Sequence, residues 1–171
     1  MLTLQIVRGD IAKQVVDAIV NAANSSLLGG GGVDGAIHEA AGSELLAECR
    51  TLGGCAPGEA KITAGYSLPA RWIIHTVGPV CHGGTSGEDE ILARCYRSCF
   101  TLAQQHHIKS IAFPSISTGV FGFPVRRAAQ IALTEIKRLA TQGTTIEHIT
   151  VVCFEAPVYS AYQAARETVG I

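Results

Sequence analysis

Apolar and polar positions along the chain fall into short runs that switch between the two-residue period of strands and the 3.6-residue period of helices. Leu2 to Val7 alternates loosely and stops at Arg8-Gly9-Asp10, which predicts a first strand ending in a turn. Asp17 to Val20 is a short apolar run and predicts a second strand. From Val33 the spacing turns helical, and after Gly42 it resumes through SELLAECRTL, with Ser43 as the predicted N-cap. KITAGY and WIIHTVG are β-rich runs separated by a turn at Leu68-Pro69. His75 and Thr76 interrupt the second of these, and His75 reads as a hydrogen-bonded core residue. A long amphipathic helix is predicted from about Asp89 to His106, followed by the strand IAFPSIS, whose proline marks a bulge or strand end. Pro124 suits the first position of the helix VRRAAQIALTEIKRLATQ. HITVVCF then predicts the last strand, and a helix around Tyr159 to Thr168 closes the chain. Strands alternating with helices predict an α/β sandwich with a largely parallel sheet and ligand sites beyond the carboxyl ends of its strands.

The stretch Asn21 to Gly42, NAANSSLLGGGGVDGAIHEAAG, adds chemistry to this pattern. It runs from strand through a glycine loop into a helix start, an order that builds an anion site. A helix start leaves backbone N–H groups without intrahelical partners, and glycines let a ligand approach the backbone. Asp34 and His38 are four apart and share one face of that helix. STGVFGFP, just before the helix at Pro124, has the same strand, glycine loop and helix order. The two loops, Gly29 to Val33 and Ser117 to Gly122, contain no lysine. Together they can hold a diphosphate by backbone N–H groups without a metal.

Other readings of the glycines fare worse. Gly30, Gly32 and Gly35 formally match G-x-G-x-x-G, but NAANSSLL separates them from the strand, and no ribose-binding acid follows. A P-loop needs GK[ST] after the glycines, which is absent. Asn21, Asn24, Ser25 and Ser26 are ordinary turn formers, although Asn24 also stands where an amide could hold ribose hydroxyls. Asp34 in a first helical turn is favoured by the helix dipole alone. Beside bound phosphates the same carboxylate becomes a proton acceptor. His38 could equally be a core residue. Asp10, at a strand end, reads as an N-cap ahead of an acceptor for an exocyclic amine.

Composition narrows the field. At 171 residues the chain suits a single domain, 1–171, large enough for a substantial core. A hydrophobic content of 47% with 16% charged residues describes a compact soluble domain. A formal net charge of -1 gives no electrostatic footprint for nucleic acid or an anionic membrane. No apolar run spans a bilayer, and the first residues meet charge too early for a signal segment, so a cytoplasmic setting is expected. Cys49, Cys55, Cys81, Cys95, Cys99 and Cys153 form no CxxC pair or zinc spacing. Cys95 and Cys99 could make half a metal site, but small buried thiols are the favoured reading. His106 and His107 close a helix, and His82 and His148 fall in connecting segments.

Four stretches together carry a resemblance: GDI (Gly9 to Ile11), Val20 to Gly42, HTVGP (His75 to Pro79) and PSISTGVFGFP (Pro114 to Pro124). In order and spacing the chain resembles a macrodomain of the MacroD type, most closely the bacterial O-acetyl-ADP-ribose deacetylases. The resemblance implies a three-layer α/β/α sandwich with a mixed, largely parallel sheet and an ADP-ribose cleft across its top. It implies that Asp10 receives the adenine amine, that Ile11 contacts the adenine edge and that Phe154 packs beside the base. Gly32 and Val33, with Ser117, Thr118, Gly119, Val120 and Phe121, would form the diphosphate and distal-ribose loops. Asn24 would hold the distal ribose, Asp34 would be the carboxylate assigned to catalysis and His38 its helical partner. The implied activity is hydrolysis of acyl esters of ADP-ribose and of mono-ADP-ribose on protein Glu or Asp, with no cofactor and no metal. A non-catalytic ADP-ribose reader is the alternative. Cys81 stands where such proteins often carry an aromatic, and Glu39 where a basic residue is common.

Overall fold

The computed structural model describes residues 1–171. In chain order its elements are β1 (Thr3–Arg8), β2 (Ala18–Ala23), α1 (Gly32–Ala41), α2 (Ser43–Arg50), β3 (Ala60–Ala64), β4 (Trp72–Val77), α3 (Glu88–Gln105), β5 (Ser110–Phe113), α4 (Val125–Gln142), β6 (His148–Cys153) and α5 (Ala156–Val169). A single 3-10 turn, Ile11–Lys13, follows β1. The six strands form one sheet in the order β1-β6-β5-β2-β4-β3. Every neighbouring pair is parallel except the hairpin of β3 on β4 at one edge. The sheet is therefore mixed and largely parallel, the middle layer of an α/β/α sandwich.

Both faces of the sheet are covered, which is why β2 and β4 read as almost unbroken apolar runs. Adjacent residues serve opposite layers, as the two-residue period of a strand requires. Val20 and Ile74 point to the side of α3, α4 and α5, where Phe113, Leu133, Ile136 and Tyr162 join them. Ile19 and Ile73 point the other way, to Ile37 of α1, Leu45 of α2 and Ile11. No helix is long and apolar enough to cross a membrane.

Several boundaries differ from the sequence expectation for local reasons. β2 continues through Asn21 to Ala23, so Asn21 is a buried strand residue and not a loop former. Ser43 makes no side-chain cap. Gly42, with φ 94°, ends α1 and caps α2 in one step, and the second helix starts a residue earlier. Pro124 stands one residue before α4, and α5 begins at Ala156 with its proline in the first turn. His148 opens β6 and does not lie in a connection; its Nδ1 is 2.6 Å from Thr3 Oγ1 on β1.

The position of the cleft follows from topology. β2 pairs with β5 only through Ala18–Ile111 and Ile19–Ala112, whereas its six residues all pair with β4. Past Ile19 the β2–β5 gap opens. The chain leaving β2 goes to α1 on one face, and the chain leaving β5 goes to α4 on the other. Neighbouring parallel strands whose connections diverge in this way leave a crevice at their carboxyl ends.

Candidate functional site

That crevice is a cleft of about 310 Å³, floored by Ala22, Ala23 and Ile116 and walled by two loops. Gly30 to Asp34 form one wall, and Ser117, Gly119, Val120 and Phe121 form the other. No lysine or arginine lines it, and Asp34 is the one charged residue that does. The N–H groups of Gly32, Val33 and Asp34 donate to no backbone carbonyl, and neither do those of Thr118 to Phe121. The first set belongs to the opening turn of α1, where the dipole adds positive potential. The cleft therefore presents backbone donors, and no cationic side chain, to an anion.

The second wall is held from behind. Phe123 N donates to Ser117 O at 2.9 Å and Cys81 N to Phe121 O at 2.8 Å, which close the second loop and tie it to the segment after β4. Ser117 has φ 66°, a left-handed conformation that costs a non-glycine residue of order 1 kcal/mol. Gly78 makes room for it: a Cβ there would lie 2.0 Å from Ser117 Oγ. Thr118 is not among the lining residues. Its hydroxyl turns back to Ser115 Oγ at 2.8 Å, and Tyr162 OH of α5 reaches the same oxygen at 3.1 Å.

Asp34 is 5% exposed and its two oxygens have different fates. Oδ1 accepts from Asn21 Nδ2 at 2.8 Å, a bond from an amide to a carboxylate of the stronger kind. His38 Nε2 comes within 3.3 Å of the same oxygen, without the alignment of a hydrogen bond. Oδ2 is buried and has no partner. It stands beside Gly30, where a Cβ would lie 3.1 Å from Oδ2 and 3.3 Å from Asn24 Nδ2. The absence of a side chain at 30 thus keeps the carboxylate and the Asn24 amide open to each other.

Asn24 is more committed to its own loop than sequence indicates. Its Oδ1 accepts from Ser26 N, Ser26 Oγ and Leu27 N, while Nδ2 donates to Gly29 O at 2.9 Å. One Nδ2 hydrogen is left, so toward a ligand Asn24 can donate but not accept.

Asp10, Ile11 and Phe154 stand outside the main cleft, at the adjacent carboxyl ends of β1 and β6. Asp10 does cap the turn after β1, through Oδ1 to Ala12 N at 2.9 Å, which engages one carboxylate oxygen. Ile11 is 5% exposed and packs mainly into the core beside α1. Phe154, by contrast, is 76% exposed, and Val120 is 97% exposed at the other side of the cleft. From β1 to β2 is three strand spacings, about 14 Å, so the whole set lies along a line suited to an elongated ligand.

Sequence reasoning took Asn21 for a turn former and missed its place beside Asp34, whereas His75 is the hydrogen-bonded core residue it was expected to be. The two are Cα partners across β2 and β4, and both are fully buried. Asn21 Nδ2 also lies 3.1 Å from His75 Nδ1, and His75 Nε2 lies 2.9 Å from Thr63 Oγ1 on β3. Burial, helped by the nearby His38, pushes the His75 imidazole down to about 4, so it is neutral at pH 7. The available signal was polar residues interrupting two apolar runs, but only the strand register brings them together. Glu88 was also missed. Its carboxylate gathers the N–H groups of His82, Gly84 and Ser86, and its own backbone N–H followed by these three pulls it down to about 2. It folds the loop in front of α3 and is not among the residues that line the cleft.

Cys95 and Cys99 are buried among core residues, and the six thiols are free. Burial raises both. No three His, Cys, Asp or Glu side chains come together as a metal site.

Comparison with known proteins places both the sequence and the fold. The Macro domain family model matches residues 20–132, which include the end of β2 from Val20, the first glycine loop, Asp34, His75 and the second loop. A Macro domain-containing protein of Chlorobaculum tepidum is 58% identical over 159 residues, 93% of this chain and 92% of that protein. A Pantoea vagans protein named O-acetyl-ADP-ribose deacetylase 1 is 52% identical over 166 residues, 95% of this chain and 97% of its own length. Among solved structures, a glycine-to-valine variant of the Oceanobacillus iheyensis macrodomain with ADP-ribose (ADPR) superposes with a TM-score of 0.94. It is 46% identical, and the match covers 98% of this chain and 94% of that one. By sequence and by fold, this chain belongs to the macro domain family.

Proposed function

We propose that this protein binds ADP-ribose and hydrolyses acyl esters of its distal ribose, converting O-acetyl-ADP-ribose to ADP-ribose and acetate. Mono-ADP-ribose esterified to protein Glu or Asp has the same linkage and is the second proposed substrate. The observation that carries this reading is Asp34 Oδ2, a buried carboxylate oxygen without a partner, between two loops of unpaired backbone N–H groups. The relatives named as deacetylases and the neighbour with ADP-ribose support the same choice.

In this reading the N–H groups of Gly32, Val33 and Gly119 to Phe121 hold the diphosphate, Asn24 donates to a distal-ribose hydroxyl, and Asp10 and Phe154 receive the adenine. Fixing both ends of the ligand presents the ester to Asp34, a gain of orientation. Asp34 Oδ2 orients a water whose oxygen bonds to the acyl carbon. The bond from that carbon to the ribose oxygen then breaks. The ribose oxygen leaves with a proton as a hydroxyl, and the acyl group leaves as the acid. His38, beside Oδ1, helps to hold the carboxylate in place.

The experiment is turnover of O-acetyl-ADP-ribose by wild type and Asp34→Ala, with ADP-ribose affinity measured by calorimetry on both. Loss of about 100-fold or more in turnover with affinity retained is expected. Turnover that survives Asp34→Ala sinks the role of Asp34. ADP-ribose binding by wild type with no turnover leaves a reader module.

A further inference from the structure

We infer that His75 is a positioning residue for Asp34, acting through the Asn21 amide from a distance at which it touches no substrate. The inference rests on the hydrolase reading above, in which Asp34 takes part in turnover. Asn21 has one donor end and one acceptor end, and its Nδ2 meets two acceptors: His75 Nδ1 at 3.1 Å and Asp34 Oδ1 at 2.8 Å. A reversed amide would put its oxygen against a carboxylate oxygen, two acceptors in contact. The orientation therefore requires a bare Nδ1 on His75, and the imidazole then carries its hydrogen on Nε2.

That hydrogen has an acceptor. His75 Nε2 lies 2.9 Å from Thr63 Oγ1, whose own hydrogen goes to Ala64 O at 3.1 Å. Four hydrogen bonds thus run in series from β3 through β4 and β2 to α1, and each has only one workable direction. His75, Asn21 and Asp34 are all buried, so bulk water does not compete for these bonds. Asp34 receives an N–H at Oδ1, while Oδ2 stays unengaged beside Gly30. An imidazole with hydrogen on Nδ1 would drive the amide over and turn an acceptor toward Asp34.

Two measurements test this. Nitrogen-15 NMR of the labelled protein should find hydrogen on Nε2 and none on Nδ1 of His75; hydrogen on Nδ1 overturns the inference whatever the protein catalyses. Kinetics of His75→Asn and His75→Gln give the second. The Asn side chain can set an oxygen where Nδ1 stands, whereas the Gln amide reaches the Nε2 position. His75→Asn should keep kcat within a few-fold of wild type, and His75→Gln should lose about 10- to 100-fold in kcat with KM unchanged. Equal losses in both variants, or a loss in KM alone, would overturn the role. If His75→Gln does not fold, the ring assignment decides. A wild type without turnover ends the hydrolase reading, while the NMR result still decides the direction of the chain of bonds.

Discussion

Gly35 of α1 is pressed against the carbonyl of Gly30: a Cβ on residue 35 would lie 2.5 Å from Gly30 O. The helix that carries Asp34 is thereby packed onto the loop that precedes it, and the donors of the loop and the carboxylate move as one unit. Gly35→Ala forces backbone apart and is expected to destabilise the protein by about 1–3 kcal/mol. Urea unfolding reads that loss, and calorimetry should show weaker ADP-ribose binding alongside it. Stability equal to wild type would mean the contact is slack.

Gly30→Ala should behave differently. Its Cβ would meet only side-chain atoms, Asp34 Oδ2 at 3.1 Å and Asn24 Nδ2 at 3.3 Å, which can give way by a few tenths of an ångström. Folding should survive, while displacement of the carboxylate lowers turnover by about 10- to 100-fold. A variant with unchanged turnover would remove Oδ2 from the mechanism.

Acid should weaken the fold through His75. Its imidazole is held at about 4, below the ordinary 6.5, so the unfolded chain takes up the proton first as pH falls. Stability is therefore lost from about pH 6.5 down through about pH 4, by on the order of 3 kcal/mol in all. Denaturant unfolding at a series of pH values should show this slope in wild type and a shallower one in His75→Asn. Parallel slopes would place the titration elsewhere.

Phe154→Ala tests the far end of the cleft. The ring is 76% exposed, so its removal should leave the melting temperature nearly unchanged. Stacking of a base on an aromatic ring is worth about 1–3 kcal/mol, and ADP-ribose affinity should fall by roughly 5- to 100-fold. Binding of ribose 5-phosphate, which lacks the base, should not change. An equal loss for both ligands would count against an adenine contact.

The glycine loops, the start of α1 to within one residue of Val33 and the four-residue spacing of Asp34 and His38 were legible in sequence because each is local. Asp10 shows the limit of local signals. The spacing favoured a cap and the resemblance a ligand contact. The structure has the cap on Oδ1 at 2.9 Å, which still leaves the second oxygen. Asn24 was legible as a loop residue, but not the commitment of its oxygen to three donors of its own turn.

What the sequence determined by itself is what short-range chemistry dictates: the alternation of strands and helices, the family, the donors of two loops and the acid at a helix start. Tertiary structure alone decided which face of Asp34 is engaged. Asn21 and His75 are separated by 54 residues and meet only because β2 and β4 pair in one register. A slip of one residue would turn each side chain to the other face of the sheet. The same pairing buries both, and burial keeps the imidazole neutral and the bonds sheltered from water. Hydrogen-bond direction in such a network depends on partners distant in sequence, so no local pattern encodes it.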